Sequence, residues 1–278
     1  MSSVDTAIAS APVAPPRFRL PDFVISSATA LVLLVLWETS VRSGLLDARF
    51  FPAPTKIAQT AVRLISSGQL LTDISATLVR ILFGFAIGAT AGVVAGLALG
   101  GIRVVRVMFE PILSALYVIP KISILPLLMI IFGLGDGSKI AVVALAAFFV
   151  IAINTMDGVR TADPVLLEAG QNFGAKGLRM FWHVLLPSAL PNIFTGLKIG
   201  AGTSLLVVIA AEFVAAEAGI GFLIWRSWTT LVTEEMYVGF AVIALMGILL
   251  ALILSKVGQY VMPWRSEHVD IMRATGGG

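Results

Sequence analysis

Cysteine is absent from the 278 residues, which excludes disulfides, thiol nucleophiles and cysteine-ligated metals. Histidine occurs twice, as His183 and His268, far apart in sequence and without ligand-spaced partners, so no metal site is expected. Charge is scarce as well. Asp, Glu, Lys and Arg make up 13% of the chain, against roughly 25% in an average soluble domain. The few charges form no basic cluster interleaved with aromatics, so nucleic acid is not an expected partner despite a net charge of +3. Nor do His, Asp and Glu cluster as an intramembrane catalyst requires, and no catalytic residue is assigned.

What the chain has instead is apolar surface: 58% of its residues are hydrophobic and its mean hydropathy is +0.98. A core of this size cannot hide that much, so the expected solvent is lipid. The reading is an all-α, polytopic membrane protein with about six spans. They are Phe23–Val41, Ile81–Ile102, Pro111–Leu134 (interrupted by Pro120, Lys121 and Pro126), Ile140–Met156, Ile193–Val214 and Met236–Ser255. The stretch 1–20, rich in Ala, Pro and Ser, is expected to be a disordered tail, and 263–278 a second tail after a membrane domain over 21–262. Asp5 and the lack of a basic residue before Arg17 make it a poor secretory signal. With both termini inside, ten Lys and Arg fall on the inner side and seven on the outer, a weak positive-inside bias.

Two local patterns stand out. Gly84, Gly88, Gly92, Gly96 and Gly100 recur every four residues, a stripe that lets a second helix approach closely, most simply within one subunit. Between the fourth and fifth spans, 158–192 holds an amphipathic segment. Asp163-Pro164 supplies an N-cap followed by proline at the first helical turn. "PVLLEAGQNF" is expected to be a short helix stopped at Gly174 by a positive-φ turn. "AKGLRMFWHVLL" is expected to be a second short helix that ends before Pro187. Val165, Leu166, Leu167, Phe173, Leu178, Phe181 and Trp182 then need burial against something.

The order Glu168-Ala169-Gly170, Gly174, Val184-x-Leu186-Pro187 resembles the cytoplasmic loop of permease subunits in binding-protein-dependent ABC importers, E-A-A-x3-G-x9-I-x-L-P. Gly170 replaces the second alanine and Val184 the isoleucine. "FFPAPTKI", "SATLVRILFGF", "IPKISILPLLMIIFGLGDGSKI" and "AFFVIAINTMDGVRTADPVLLEAG" extend the likeness to the nitrate, sulfonate, taurine and bicarbonate branch. Tyr117-Val118-Ile119-Pro120-Lys121 departs from the "RP-I-P-P" of sulfonate and taurine permeases and leans toward relatives handling pyrimidine vitamin precursors or aromatic carboxylates.

The resemblance implies a type I importer in a bacterial inner membrane, multi-pass, with both termini cytoplasmic. Its partners would be two cytoplasmic ABC ATPase subunits, an extracytoplasmic solute-binding protein and a second permease copy, a homodimer as in similar systems. ATP and Mg would be bound by the ATPases, leaving this chain without a cofactor and without catalysis of its own. Glu168, Ala169, Gly170, Gly174, Leu186 and Pro187 would couple it to those ATPases. "GLGDGSK" at Gly133–Lys139 is not a phosphate loop: the G-K-[ST] order is missing.

A small, anionic or organic solute is the expected cargo. Lys121, inside a proline-broken span, is a candidate for its pathway, because a membrane-embedded ammonium needs a cavity, a partner or the interface. Asn154, Thr203, Ser204 and Glu212 are further candidates. The competing reading is a secondary transporter or channel that needs no ATPase. That reading expects paired broken helices at matching positions in two halves, and the chain carries one interrupted span.

Overall fold

A computed structural model describes residues 22–264, all helix and turn among the residues described. The expected tails at 1–20 and 263–278 lie outside these residues but for Pro263 and Trp264, which form a turn.

The described chain divides into two units after Thr55. The first holds α1 (Asp22–Arg42), an apolar helix whose Leu31 to Leu36 are all exposed. Near its end Glu38 pairs with Arg42 at 2.6 Å, the (i, i+4) spacing that brings side chains together on a helix face. The same carboxylate accepts from Thr55 N and Oγ1, tying the end of α1 to the loop that follows.

The second unit runs from Lys56. It contains most of α2 (Pro54–Ser66), amphipathic as "TKIAQTAVRLISSG" suggests, with Thr60 and Leu64 buried. There follow α3 (Gln69–Gly101), α4 (Arg103–Val118), a 3₁₀ turn (Lys121–Ile124), α5 (Leu125–Phe132), α6 (Asp136–Arg160), α7 (Pro164–Asn172), α8 (Leu178–Met180), α9 (Leu186–Ala215), α10 (Ile220–Thr229) and α11 (Thr233–Val261).

The spine of this unit is α6. Val142, Val143, Ala146, Ala147, Ile151 and Ala152 on it are buried, because α3 covers one side and α9 the other. Both neighbours come close at glycine. A Cβ on Gly84 would lie 2.6 Å from Val143 Cγ1, one on Gly96 2.5 Å from Ala152 O, and one on Gly100 2.6 Å from Val159 Cβ. Across the other face, Cβ atoms on Gly158 and Gly196 would meet Asn192 and Asn154 at 2.7 Å. In lipid, where apolar side chains gain nothing by leaving hydrocarbon, such backbone approach supplies the dispersion that holds helices together.

Among the described residues, four helices are long and apolar enough to cross a membrane: Gln69–Gly101, Asp136–Arg160, the continuous run Leu178–Ala215, and Thr233–Val261. The pair α4 and α5, bent by 92° at its break, makes a fifth if counted as one span. The structure moves three expected boundaries. The second span begins at Gln69, not Ile81, because Asp73, Thr77 and Arg80 find partners inside the protein and need not end the helix in solvent. The third begins at Arg103 and carries Pro111 within α4.

The largest change concerns Pro187. The second short helix does not end before it. Phe181–Leu185 winds as a π-helix, with Leu186 N bonding Phe181 O, and α9 continues from there past Pro187 and Pro191. A proline lacks the N–H that an α-helical turn would use and its ring crowds the carbonyl four residues back. The wider π turn just before Pro187 accommodates both.

Candidate coupling segment and translocation cavity

The 163–187 segment is built from its caps inward. Asp163 Oδ1 accepts from Val165 N at 2.8 Å and opens α7. At the other end Ala175 N bonds Gly170 O and Gly174 N bonds Gln171 O, both at 2.9 Å, with Gly174 at φ +80°. That is the Schellman closure, in which a left-handed residue turns the chain back over the last carbonyls. Phe173 N also bonds Ala169 O at 3.0 Å, so Ala169 holds the final α-helical turn. A Cβ on Gly170 would sit 2.9 Å from Val184 Cγ2, which accounts for glycine where the motif has alanine: α7 nests on the π turn there. Leu186 opens α9, with Pro187 next to it.

What this closure leaves outside is apolar. Phe173 is 92% exposed and Leu178 78%, with Val165, Leu166 and Trp182 also exposed. Glu168 is exposed and has no ion-pair partner among the described residues.

The pathway candidates separate into groups. Lys121 begins the 3₁₀ turn at the bend, and its Nζ donates to the carbonyls of Leu116 (3.1 Å), Tyr117 (2.8 Å) and Ile119 (2.6 Å). It also lies 4.6 Å from the ring centre of Phe149. The ammonium thus ties down carbonyls at and just past the C-terminus of α4, where a cation is electrostatically favoured, and shares Leu116 O with Ile119 N at 3.3 Å. Beside it is a cavity of about 360 Å³, lined by Tyr117, Lys121, Val150, Thr203 and Val207 among others. Lys121 and Thr203 therefore share one wall, although Thr203 Oγ1 is turned to its own helix, donating to Gly200 O at 2.9 Å.

Asn154 and Ser204 are not on that cavity. Asn154 donates to Val150 O and packs on Gly196, whereas Ser204 is fully buried and its hydroxyl has no partner. Glu212 is elsewhere again, 0% exposed, with Oε1 accepting from Arg80 Nη1 at 2.6 Å and Oε2 from Gly221 N at 2.8 Å. Thr77 Oγ1 donates to the same carboxylate while accepting from Ile220 N. Its position is an internal ion pair, not a cavity wall.

That pair belongs to a cluster which composition and periodicity did not single out. Asp73, Thr77 and Arg80 occupy one face of α3, and each grips the chain between α9 and α10. Asp73 Oδ1 accepts from Gly219 N at 2.9 Å; Arg80 donates to Ala218 O at 2.7 Å, to Glu212 and to Asp136 Oδ1. Gly219 is held at φ +131° against the Glu212 carboxylate. The (i, i+4, i+7) spacing of the three α3 residues was the signal available in the sequence. The "GLGDGSK" stretch is a turn into α6: Lys139 Nζ donates to Leu134 O and Gly135 O, which leaves no anion cradle.

Comparison with known proteins agrees with the all-helical membrane architecture. Residues 84–266 match the model of the family described as binding-protein-dependent transport system inner membrane component. The taurine transport system permease protein TauC of Escherichia coli (strain K12) is 33% identical over 248 residues, covering 87% of this chain and 90% of its own. The putative aliphatic sulfonates transport permease protein SsuC of Bacillus subtilis (strain 168) is 30% identical over 242 residues, covering 85% and 86%. The formylaminopyrimidine transport permease protein ThiX of Halalkalibacterium halodurans is 30% identical over 239 residues, covering 86% and 94%. The chain belongs to the binding-protein-dependent transport system inner membrane component family and is a membrane-spanning permease subunit of an ABC importer.

Proposed function

We propose that the α7–π-turn segment is where this permease receives the stroke of its ATPase partners, and that α9 transmits it. The observation that carries the reading is the exposed apolar set Val165, Leu166, Phe173, Leu178 and Trp182 around a rigidly capped turn. Each large side chain gains about 1.5–3 kcal/mol on full burial, so a cleft that covers the set is strongly preferred to water. Glu168, exposed beside them, is free to meet a basic or hydroxyl group in that cleft. The run Leu178–Ala215 has no break after the π turn, which makes it a rod roughly 57 Å long at about 1.5 Å per residue. A push at the π turn tilts the rod against α6, through the glycine contacts at Gly158, Gly196 and Gly200, and reaches the cavity wall at Thr203.

On this reading the segment faces the cytoplasm, both termini lie on the same side, and α1 supplies the sixth span. ATP and Mg stay with two ATPase subunits, a solute-binding protein delivers cargo from outside, and a second copy of the chain completes the path. The cargo is a small anionic or organic solute passing the cavity at Lys121. Relatives named for taurine, aliphatic sulfonates and formylaminopyrimidine lie within 30–33% identity, so the departure at Tyr117–Lys121 is what bears on the choice. The test is co-purification of the ATPase with Glu168→Lys or Gly174→Trp, each expected to abolish it. Transport that persists with no ATPase present sinks the reading in favour of a secondary transporter or channel.

A further inference from the structure

At the end of the bundle that carries α7, α9 and α11 enclose a small pocket lined by Thr195, Lys198, Ser255 and Gln259, floored by Phe194 and Gly258. We infer that it is a site for a phosphate-bearing anion, with the headgroup of an anionic membrane lipid as its source. Four observations lead there. Among the described residues Lys198 has no ion-pair partner and no carboxylate lines the pocket, so they leave its charge uncompensated. An ammonium on a membrane helix is costly in that condition and calls for an anion or the interface. Ser255 makes no hydrogen bond among the described residues, so its O–H is available to donate, whereas Thr195 spends its own on Pro191 O at 2.9 Å.

The volume fits the ligand. The cavity, about 50 Å³, is several times the roughly 10–15 Å³ that one water needs, which leaves room for a tetrahedral oxyanion. The floor is tight, since a Cβ on Gly258 would stand 3.2 Å from the Phe194 ring. The anion therefore sits above the helix contact and does not pass through it.

The surroundings select lipid over a dissolved ion. Tyr260 and Trp264 are exposed at the same end of α11, 88% and 59%, and such aromatics settle at the headgroup level. Below them Ile248, Leu249, Leu252 and Ile253 present an exposed apolar strip suited to acyl chains. A lipid whose tails lie on that strip delivers its phosphate beside Lys198. Free phosphate has only the pocket itself.

The experiment is native mass spectrometry of the full-length chain, first carrying phosphatidylglycerol or phosphatidylcholine from mixed bilayers, then delipidated and titrated with inorganic phosphate. The expected result is at least a fivefold preference for phosphatidylglycerol, lost in Lys198→Met and in Ser255→Asp, which sets a carboxylate against the lysine. Lys256→Gln, an exposed lysine one residue from Ser255 and outside the lining, should keep it. Because the two pocket variants disturb the fold differently, agreement between them reports on the anion. Phosphate bound without lipid and lost in both variants would sustain the site and assign it to the free ion. No preference in either arm, or a preference unchanged by both variants, overturns it.

Discussion

Placing one methyl group on the glycine stripe of α3 should separate two helices. A Cβ at Gly96 would lie 2.5 Å from both Ala152 O and Thr155 Cβ, about 0.9 Å short of ordinary contact at 3.4 Å. Neither neighbour can swing aside. One is backbone in the middle of α6, and the other is a β-branched carbon on a fully buried side chain. The helices must part, and a gap of 0.5–1 Å forfeits a quarter to a half of each dispersion well along the seam. Overpacking of this kind costs about 1–3 kcal/mol. For a chain of this size that lowers the melting temperature by roughly 2–5 °C. Gly101, on the same helix, has nothing within 4 Å of its would-be Cβ, so alanine there is neutral or slightly stabilising, by up to about 1 kcal/mol, as in any helix. The assay is tryptophan-monitored thermal unfolding of Gly96→Ala and Gly101→Ala in one detergent. If the two melt together, close packing is not what the stripe contributes.

Three further outcomes follow from the same geometry. Glu212→Ala leaves the buried Arg80 guanidinium with Asp136 as its remaining carboxylate and unpairs two further buried donors, Thr77 Oγ1 and Gly221 N, a loss of about 1–3 kcal/mol, whereas Arg80→Met/Glu212→Leu should recover part of it; strictly additive melting shifts would rule out the pair as the cause. Asp163→Ala removes the α7 cap, about 1 kcal/mol, and should speed amide exchange in 164–172 while leaving the global melting temperature alone. Lys121→Met frees the Tyr117 and Ile119 carbonyls at the bend, so spin labels on Met108→Cys and Ile130→Cys, placed in a chain with no other cysteine, should report a broader distance distribution than in the parent.

The reach of the sequence is uneven for physical reasons. Hydrophobic runs locate spans well, because lipid demands them and nothing else in a chain of this size explains them. They locate ends poorly wherever a polar face is satisfied inside the protein. Asp73, Thr77 and Arg80 look like the residues of an outer loop, and only their partners at Gly219, Ile220 and Glu212 show that α3 continues through them. Local devices were legible in detail. The cap at Asp163 and the left-handed turn at Gly174 each depend on residues within a few positions of one another. Pro187 misled because its usual effect was absorbed by a π turn whose cause is not written in any single residue.

The cavity residues show the same division from the other side. Lys121 and Thr203 share a cavity because the chain bends by 92° between α4 and the helix that follows and α9 passes the bend, a relation between residues more than eighty positions apart in sequence. Hydropathy can mark the lysine as costly but cannot say how the cost is met. Here three carbonyls at the end of α4 meet it, which changes the meaning of the charge. An ammonium whose protons are all engaged raises the local potential of the cavity but offers a solute no direct hydrogen bond unless the bend opens. Lys121 is thus better suited to register the conformation of the broken span than to grip cargo through the whole cycle. A substitution that keeps the positive charge but cannot reach all three carbonyls, Lys121→Arg, separates the two roles. If the charge alone matters, transport of an anion survives; if the bend must be pinned, transport falls and the spin-label distances broaden with it.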